Sequence, residues 1–304
     1  MGADLAAHFP SARAVFAEAS DALGLDVLEL CRSGPEERLR ATENTQPAIL
    51  TSSMAVAAVL AEHGVTPKLA AGLSLGEYSA LVAASAMTLA DAVRVVRQRG
   101  RFMQEAADRH DTAMAAVLGL DAEVVVDICR AIPGLVEAAN FNAPGQVVIA
   151  GETHAVEVAC RALRDAGAKR AVKLAVSAPF HTSLMRPAAD ALAPVLRATS
   201  IARPAIPVVS NVTAGTVRDA EAVREALVDQ VASPVRWEQS LRTLQTMGAS
   251  VFVEAGPGTT LAGLVKRTLA GASVVSIEDR ATLEAALPVL QSAAAGPGAV
   301  KSRA

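Results

Sequence analysis

Apolar positions along this chain recur mostly at helical spacing, with short apolar runs between the helical stretches. From Ala12 to Leu30 the pattern is helical, Gly34-Pro35 breaks it, and a second helical stretch runs around Gln46 to His63. Lys68 to Leu73 reads as a short buried strand, Ser74 to Ala86 as an Ala/Leu-rich helix, and Thr88 to Ala107 as a long amphipathic helix. After Asp111 the units shorten: an apolar run Ala113-Leu118, a helix Ala122-Ile132, runs at Leu135-Ala139 and Gln146-Ala150, a helix Ala155-Ala166 and the run Arg170-Val176. That βαββαβ order is the split arrangement of a ferredoxin-like unit. Longer alternation then resumes, with strands at Ile206-Ser210 and Ser250-Glu254 and helices at Asp219-Val231 and Leu261-Ala270. The predicted fold class is α/β with a mainly parallel sheet. Residues 1–112 and 178–292 would form one discontinuous core, 113–177 an insertion, and 293–304 a disordered tail of small and polar residues.

At 304 residues, 52% hydrophobic and 19% charged, the chain is long enough to bury a sizeable core. Only 3% of residues are aromatic, so the core is aliphatic and base-stacking platforms are scarce. A net charge of −3 gives no general attraction to phosphate backbones, so no nucleic-acid partner is expected. The three widely spaced cysteines, Cys31, Cys129 and Cys160, suit a reducing compartment better than a disulfide framework, and none has metal-ligand spacing. No signal peptide, acylation signal or membrane-spanning apolar run is present, which points to a cytoplasmic protein with no membrane partner.

Gly72-Leu73-Ser74-Leu75-Gly76 is a G-x-S-x-G pentapeptide at the predicted strand-to-helix turn. Such a turn holds the serine Oγ exposed as a nucleophile, and the following helix aims its first N–H groups, including that of Leu75, at charge developing on a carbonyl oxygen. The competing reading is structural. Ser74 and Glu77 also form a Ser-x-x-Glu capping box, which would make Ser74 a helix cap.

Of five histidines, only His181 sits in a strand-end loop, Ser177-Ala178-Pro179-Phe180-His181, where it could serve as base or could merely cap the helix starting near Thr182. His8, His63, His110 and His154 lie on or beside polar helical segments. Arg99 is anomalous. At about 100° per residue it falls among Val95, Val96, Phe102, Met103 and Ala106, away from the polar side of its helix. A guanidinium facing a core needs an anionic partner, either a structural Asp or Glu or a substrate carboxylate held bidentately. Serine, histidine and buried arginine together suggest transfer of an acyl group that carries a carboxylate. Glu254-Ala255-Gly256-Pro257-Gly258 lacks the features of a phosphate loop and reads as a strand-to-helix turn.

With these residues in place, nearly the whole sequence resembles the malonyl-CoA:acyl carrier protein transacylase family, the acyltransferases of fatty-acid and polyketide synthesis. The resemblance rests on Gly72–Ala80 around Ser74, Arg97–Gln104 around Arg99, Asn140–Gln146, Ser177–His181 and Glu254–Gly258, which follow one another in the family's order. It implies an α/β-hydrolase-like core with a ferredoxin-like insertion. It further implies a malonyl ester on Ser74, His181 as base, Arg99 on the malonyl carboxylate and the Leu75 N–H in the oxyanion hole. The Gln230 carbonyl would orient His181, and Gln46, Phe180 and Asn142 would line the substrate site. Malonyl-CoA and an acyl carrier protein are the implied partners, with no metal and no redox cofactor.

The chain departs from the family at two places. Leu73 stands where a histidine usually precedes the nucleophile, which makes the pocket less polar. Met1-Gly2 matches the Met-Gly that ordinarily follows an apolar strand and a Gly-Gln-Gly loop, so the expectation is a reading frame that starts upstream. Two other functions use the same features: a serine thioesterase or esterase, which has no need of Arg99, and a catalytically silent carrier-binding module.

Overall fold

The computed structural model describes residues 1–175 and 178–294. The chain opens with five helices, α1 (Ala3–His8), α2 (Pro10–Leu23), α3 (Val27–Ser33), α4 (Glu36–Arg40) and α5 (Thr42–Glu62). Strand β1 (Ala70–Ala71) leads into α6 (Gly76–Ala83) and α7 (Leu89–Ala107). Next come β2 (Thr112–Leu118), α8 (Ala122–Ala131), β3 (Val136–Ala143), β4 (Gln146–Glu152), α9 (Thr153–Asp165) and β5 (Arg170–Lys173). A 3₁₀ turn (Ser183–Met185) precedes α10 (Arg186–Ala198), β6 (Val208–Val209), β7 (Thr216–Val217), α11 (Ala220–Val231) and α12 (Trp237–Thr246). The described chain ends with β8 (Val251–Ala255), α13 (Thr260–Thr268), β9 (Ser273–Ile277) and α14 (Arg280–Ala294).

The fold is α/β, and its strands are divided among small sheets. The largest has the order β3-β4-β2-β5 and is antiparallel throughout. Among the described residues, parallel pairing is limited to β1 with β6, β8 with β9 and an isolated bridge between Asn140 and Val235. The expected strands at Lys68-Leu73 and Ile206-Ser210 shrink to two paired residues each. Pro207 has no N–H for the ladder, and beyond Ala71 the chain turns at once into the Gly72–Ser74 bend. The helix expected near Thr182 begins as the 3₁₀ turn and continues as α10, whereas α1, α4, α12, α14, β7 and β9 fall in stretches with no predicted element. Of the expected tail 293–304, residues 293 and 294 belong to α14 and the remainder lies outside the described residues, as do Val176 and Ser177. Among the described residues, no helix is long and apolar enough to cross a membrane.

Two faces of the antiparallel sheet have different partners. Ala113, Ala115, Val117, Val147 and Ile149 pack with Val125, Val156 and Leu163 of α8 and α9. Met114, Ala139, Val148 and Ala150, one residue out of phase, form the other face and contact Phe180. A larger apolar cluster joins α2, α5, α6, α7 and α10. Near its centre, α5 and α7 approach closely because Gly100 has no side chain. A Cβ there would come within 2.6 Å of the Thr42 carbonyl oxygen. That contact brings Arg99 of α7 beside Gln46 of α5.

Candidate active site

Ser74 lies at the carboxyl end of β1, in the bend before α6. Its φ of 51° is in the left-handed region, a conformation that costs a non-glycine residue about 1–3 kcal/mol and persists only where neighbours impose it. Gly72 is what lets the bend close. A Cβ on Gly72 would sit 2.0 Å from the Gly76 carbonyl carbon, whereas one on Gly76 would meet nothing within 4 Å. The capping-box reading does not hold here. The Glu77 N–H bonds to the Ser74 carbonyl, not its side chain, and no side chain caps α6.

His181, buried and also at positive φ (62°), places Nε2 2.8 Å from the Ser74 Oγ. Its Nδ1 is 2.8 Å from the Gln230 carbonyl oxygen. A carbonyl can only accept, so Nδ1 carries the proton and Nε2 presents a lone pair to the serine hydroxyl. Burial first, and then the nearby Arg99 charge, pull the imidazole pKa down to about 4, against the Gln230 carbonyl. The ring is therefore neutral at physiological pH and able to take the Ser74 proton. His181 is not a helix cap.

Arg99 is buried on the apolar side of α7, as its position in the helical pattern predicts. Its partners are neutral oxygens. Nη1 donates to Gln46 Oε1 at 2.9 Å, and Nη2 donates to Gln230 Oε1 at 2.9 Å and to the Ser74 Oγ at 3.0 Å. Its Nε has no partner among the described residues, and the Tyr78 ring centroid lies 5.7 Å from its Cζ. The structural salt bridge considered for Arg99 is absent among the described residues. A guanidinium with an unused donor beside the reactive hydroxyl can receive a carboxylate from outside.

Two further residues join this cluster: Glu77, which the sequence marks only as half of a capping box, and Asn211, which it does not mark. Glu77 is buried, and its Oε2 accepts from Gln230 Nε2 at 2.7 Å and from the Asn211 N–H at 3.1 Å. Burial raises its carboxyl to about 7, against those hydrogen bonds and the Arg99 charge. Asn211, in the loop after β6, bonds to both Ser74 and Gly72 through its side chain. Its Ser-Asn-Val-Thr-Ala-Gly context reads as an ordinary turn, and only the β1·β6 pairing reveals its position.

The remaining expected residues are placed as follows. The Leu75 N–H has no protein acceptor among the described residues and stands next to the nucleophile. Phe180 is half-buried between the antiparallel sheet and the large cluster. Asn142 lies on β3 and hydrogen-bonds to none of the cluster; its Oδ1 is buried without a partner. His8, His110 and His154 are exposed and His63 is half-buried.

Comparison with known proteins points to one family. Residues 1–291 match the acyl transferase domain family. The chain is 44% identical over 294 residues to the malonyl CoA-acyl carrier protein transacylase of Bacillus subtilis, covering 96% of this chain and 93% of that protein. It is 46% identical over 290 residues to the protein of the same name from Escherichia coli K12, covering 94% of each. Among solved structures, it superposes with a TM-score of 0.92 and 47% identity on a malonyl-transacylase in complex with a type II PKS acyl-carrier protein, covering 95% of this chain and 94% of that one. The acyl-carrier-protein S-malonyltransferase of Burkholderia pseudomallei gives a TM-score of 0.91 at 43% identity, with 95% of each chain covered.

Proposed function

Since the chain belongs to the acyl transferase family, we propose that it transfers a malonyl group from malonyl-CoA to the phosphopantetheine thiol of an acyl carrier protein, through a malonyl ester on Ser74. The observation that carries this reading is the convergence of His181 Nε2 and Arg99 Nη2 on the Ser74 Oγ, at 2.8 and 3.0 Å. One group activates the hydroxyl; the other selects the acyl group that approaches it.

In the first half-reaction the malonyl carboxylate engages Arg99 and displaces its Nη2 from the serine oxygen. Ser74 Oγ then attacks the thioester carbonyl as its proton passes to His181 Nε2. The carbonyl oxygen, now negative, is met by the Leu75 N–H. Collapse of the tetrahedral intermediate breaks the C–S bond, and the imidazolium returns its proton to the departing CoA sulfur. In the second half-reaction the carrier thiol attacks the Ser74 ester, His181 takes the thiol proton, and that proton restores the serine hydroxyl. The Gln230 carbonyl keeps the imidazole in one tautomer and balances its transient charge.

Gln46 and the Gln230 side chain hold the guanidinium with neutral acceptors, so neither competes as an anion for it. Phe180 narrows the space beside His181 and favours malonyl over a bulkier 2-methylmalonyl group. Asn142 is assigned to the substrate side on resemblance alone. The chain is read as a cytoplasmic enzyme with an α/β-hydrolase-like core (1–112 and 178–292) and a ferredoxin-like insertion (113–177). The order β3-β4-β2-β5 and the two helices on one face support the insertion. Incubation with labelled malonyl-CoA and carrier protein tests the activity: label on the carrier supports transfer, free malonate indicates a thioesterase, and no labelling indicates a silent binding module.

A further inference from the structure

The parallel strands β1 and β6 end side by side, Ala71 paired with Val209. Ser74 follows one end and Asn211 the other. Asn211 is fully buried, and its amide spans the nucleophile bend. Oδ1 accepts the Ser74 N–H at 2.6 Å and Nδ2 donates to the Gly72 carbonyl at 2.7 Å. The Asn211 backbone is itself tied down, since its N–H donates to Glu77 Oε2 at 3.1 Å and its carbonyl accepts from the Arg236 N–H at 2.9 Å.

The bend leaves these two backbone groups beyond the end of the ladder and inside the protein, where each would cost about 1–3 kcal/mol if unpaired. Only a short side chain with an acceptor at one end and a donor at the other can satisfy both. Aspartate lacks the donor and would add a charge beside Glu77; serine can reach one group and not both; leucine has neither function. The bridge also assigns the N–H groups of the bend. The Ser74 N–H is consumed by Asn211, so the Leu75 N–H is the one left free beside the reactive oxygen.

We infer that Asn211 is a positioning residue for acyl transfer, whose side-chain amide locks the Gly72–Ser74 bend so that Ser74 Oγ stays in line with His181 and the Leu75 N–H stays available to the oxyanion. It touches neither substrate nor the reacting atoms. Its effect falls on the acylation step and is the same for every acyl donor, because the bend is common to all of them. The inference rests on the reading of Ser74 as nucleophile.

The test is single-turnover acylation of Asn211→Leu and Asn211→Ser by malonyl-CoA and by acetyl-CoA, with rates scaled to the folded fraction measured by circular dichroism. The expected result is a fall of about 10- to 100-fold in acylation rate per folded molecule in the leucine variant, and a smaller fall in the serine variant. KM for malonyl-CoA and the malonyl-to-acetyl ratio should be unchanged. If the leucine variant does not fold, the serine variant decides. A wild-type rate per folded molecule overturns the inference, as does a loss confined to malonyl-CoA, which would place Asn211 in acyl selection. Ser74→Ala, with Asn211 intact, is measured alongside; persistent labelling there overturns the nucleophile reading itself.

Discussion

Arg99 and Ser74 are hydrogen-bonded to each other, Nη2 to Oγ at 3.0 Å, so the cation proposed to select the acyl group rests on the proposed nucleophile. A malonyl carboxylate that draws the guanidinium away frees the serine oxygen in the same movement. Arg99→Ala should therefore lower kcat/KM for malonyl-CoA by about 10²–10³-fold, the scale of losing a buried charge pair, while acetyl transfer holds steady or rises. Parallel rate measurements with the two donors check this. Equal losses would reduce Arg99 to a structural role.

Ser74→Ala should abolish covalent malonylation while leaving the protein folded, because a half-buried hydroxyl contributes little to packing. His181→Ala should retain the ester site but slow its filling by about 10²–10⁴-fold. Intact-mass analysis over time separates the two variants. A malonyl adduct on Ser74→Ala would point to another nucleophile.

His181 has its pKa lowered from 6.5 to about 4, first by burial and then by Arg99. The neutral, base-competent ring therefore persists well into acid. The kcat/KM for malonyl-CoA, which reports groups of the free enzyme, is expected to stay level down to about pH 5 and to fall only below it. An acid limb centred near the ordinary imidazole value would contradict the proposed environment.

Glu77 titrates in the opposite sense. Its pKa is raised from 4.5 to about 7, chiefly by burial, so the folded state holds a proton that the unfolded chain releases between those values. Its contribution to stability is thus fully present below the unfolded value and is lost as pH rises through about 7. Glu77→Gln cannot titrate. Denaturant unfolding of both proteins at pH 5 and pH 8 should show the variant gaining on the wild type by roughly 2.5 kcal/mol between them. The His181 titration is common to both proteins and cancels in the difference.

The two motif glycines should differ sharply. Gly72→Ala forces a Cβ to 2.0 Å from backbone and is expected to cost roughly 3 kcal/mol or more, whereas Gly76→Ala meets open space and should fold normally. Thermal melts of the pair provide the check. Equal destabilisation would mean that the bend is not the tight one described.

The site was legible where chemistry left a local mark. Ser74 stands in a pentapeptide with its own turn logic, and Arg99 breaks the apolar side of an otherwise regular amphipathic helix. His181 was found by its place after a strand and a proline, but its pairing with Ser74 spans 107 residues, and only the fold could establish it. Asn211 and the role of Glu77 left no such mark. Both depend on β1 lying parallel to β6, strands reduced to two residues each, where Pro207 and the Gly72 bend cut the ladders short. The six-element order from β2 to β5 was readable because its strands run four to eight residues with out-of-phase faces. The expected mainly parallel sheet is reduced to two short parallel pairs, β1 with β6 and β8 with β9, while the largest sheet is antiparallel.

One joint between the antiparallel sheet and the rest of the chain has a practical consequence. The Val235 N–H donates to the Ala139 carbonyl at 2.9 Å and the Phe141 N–H donates to the Val235 carbonyl at 2.8 Å, so β3 is stitched to the segment just after Gln230. The other face of the same sheet supports Phe180, beside His181. Sheet, Phe180 and the carbonyl behind the imidazole are thus mechanically one part. Replacing β2–β5 and their helices with those of a relative, in order to change acyl preference, is expected to shift the surroundings of His181 as well. A chimera that carries the Val235–Gln230 segment along with β2–β5 is the better starting point for engineering.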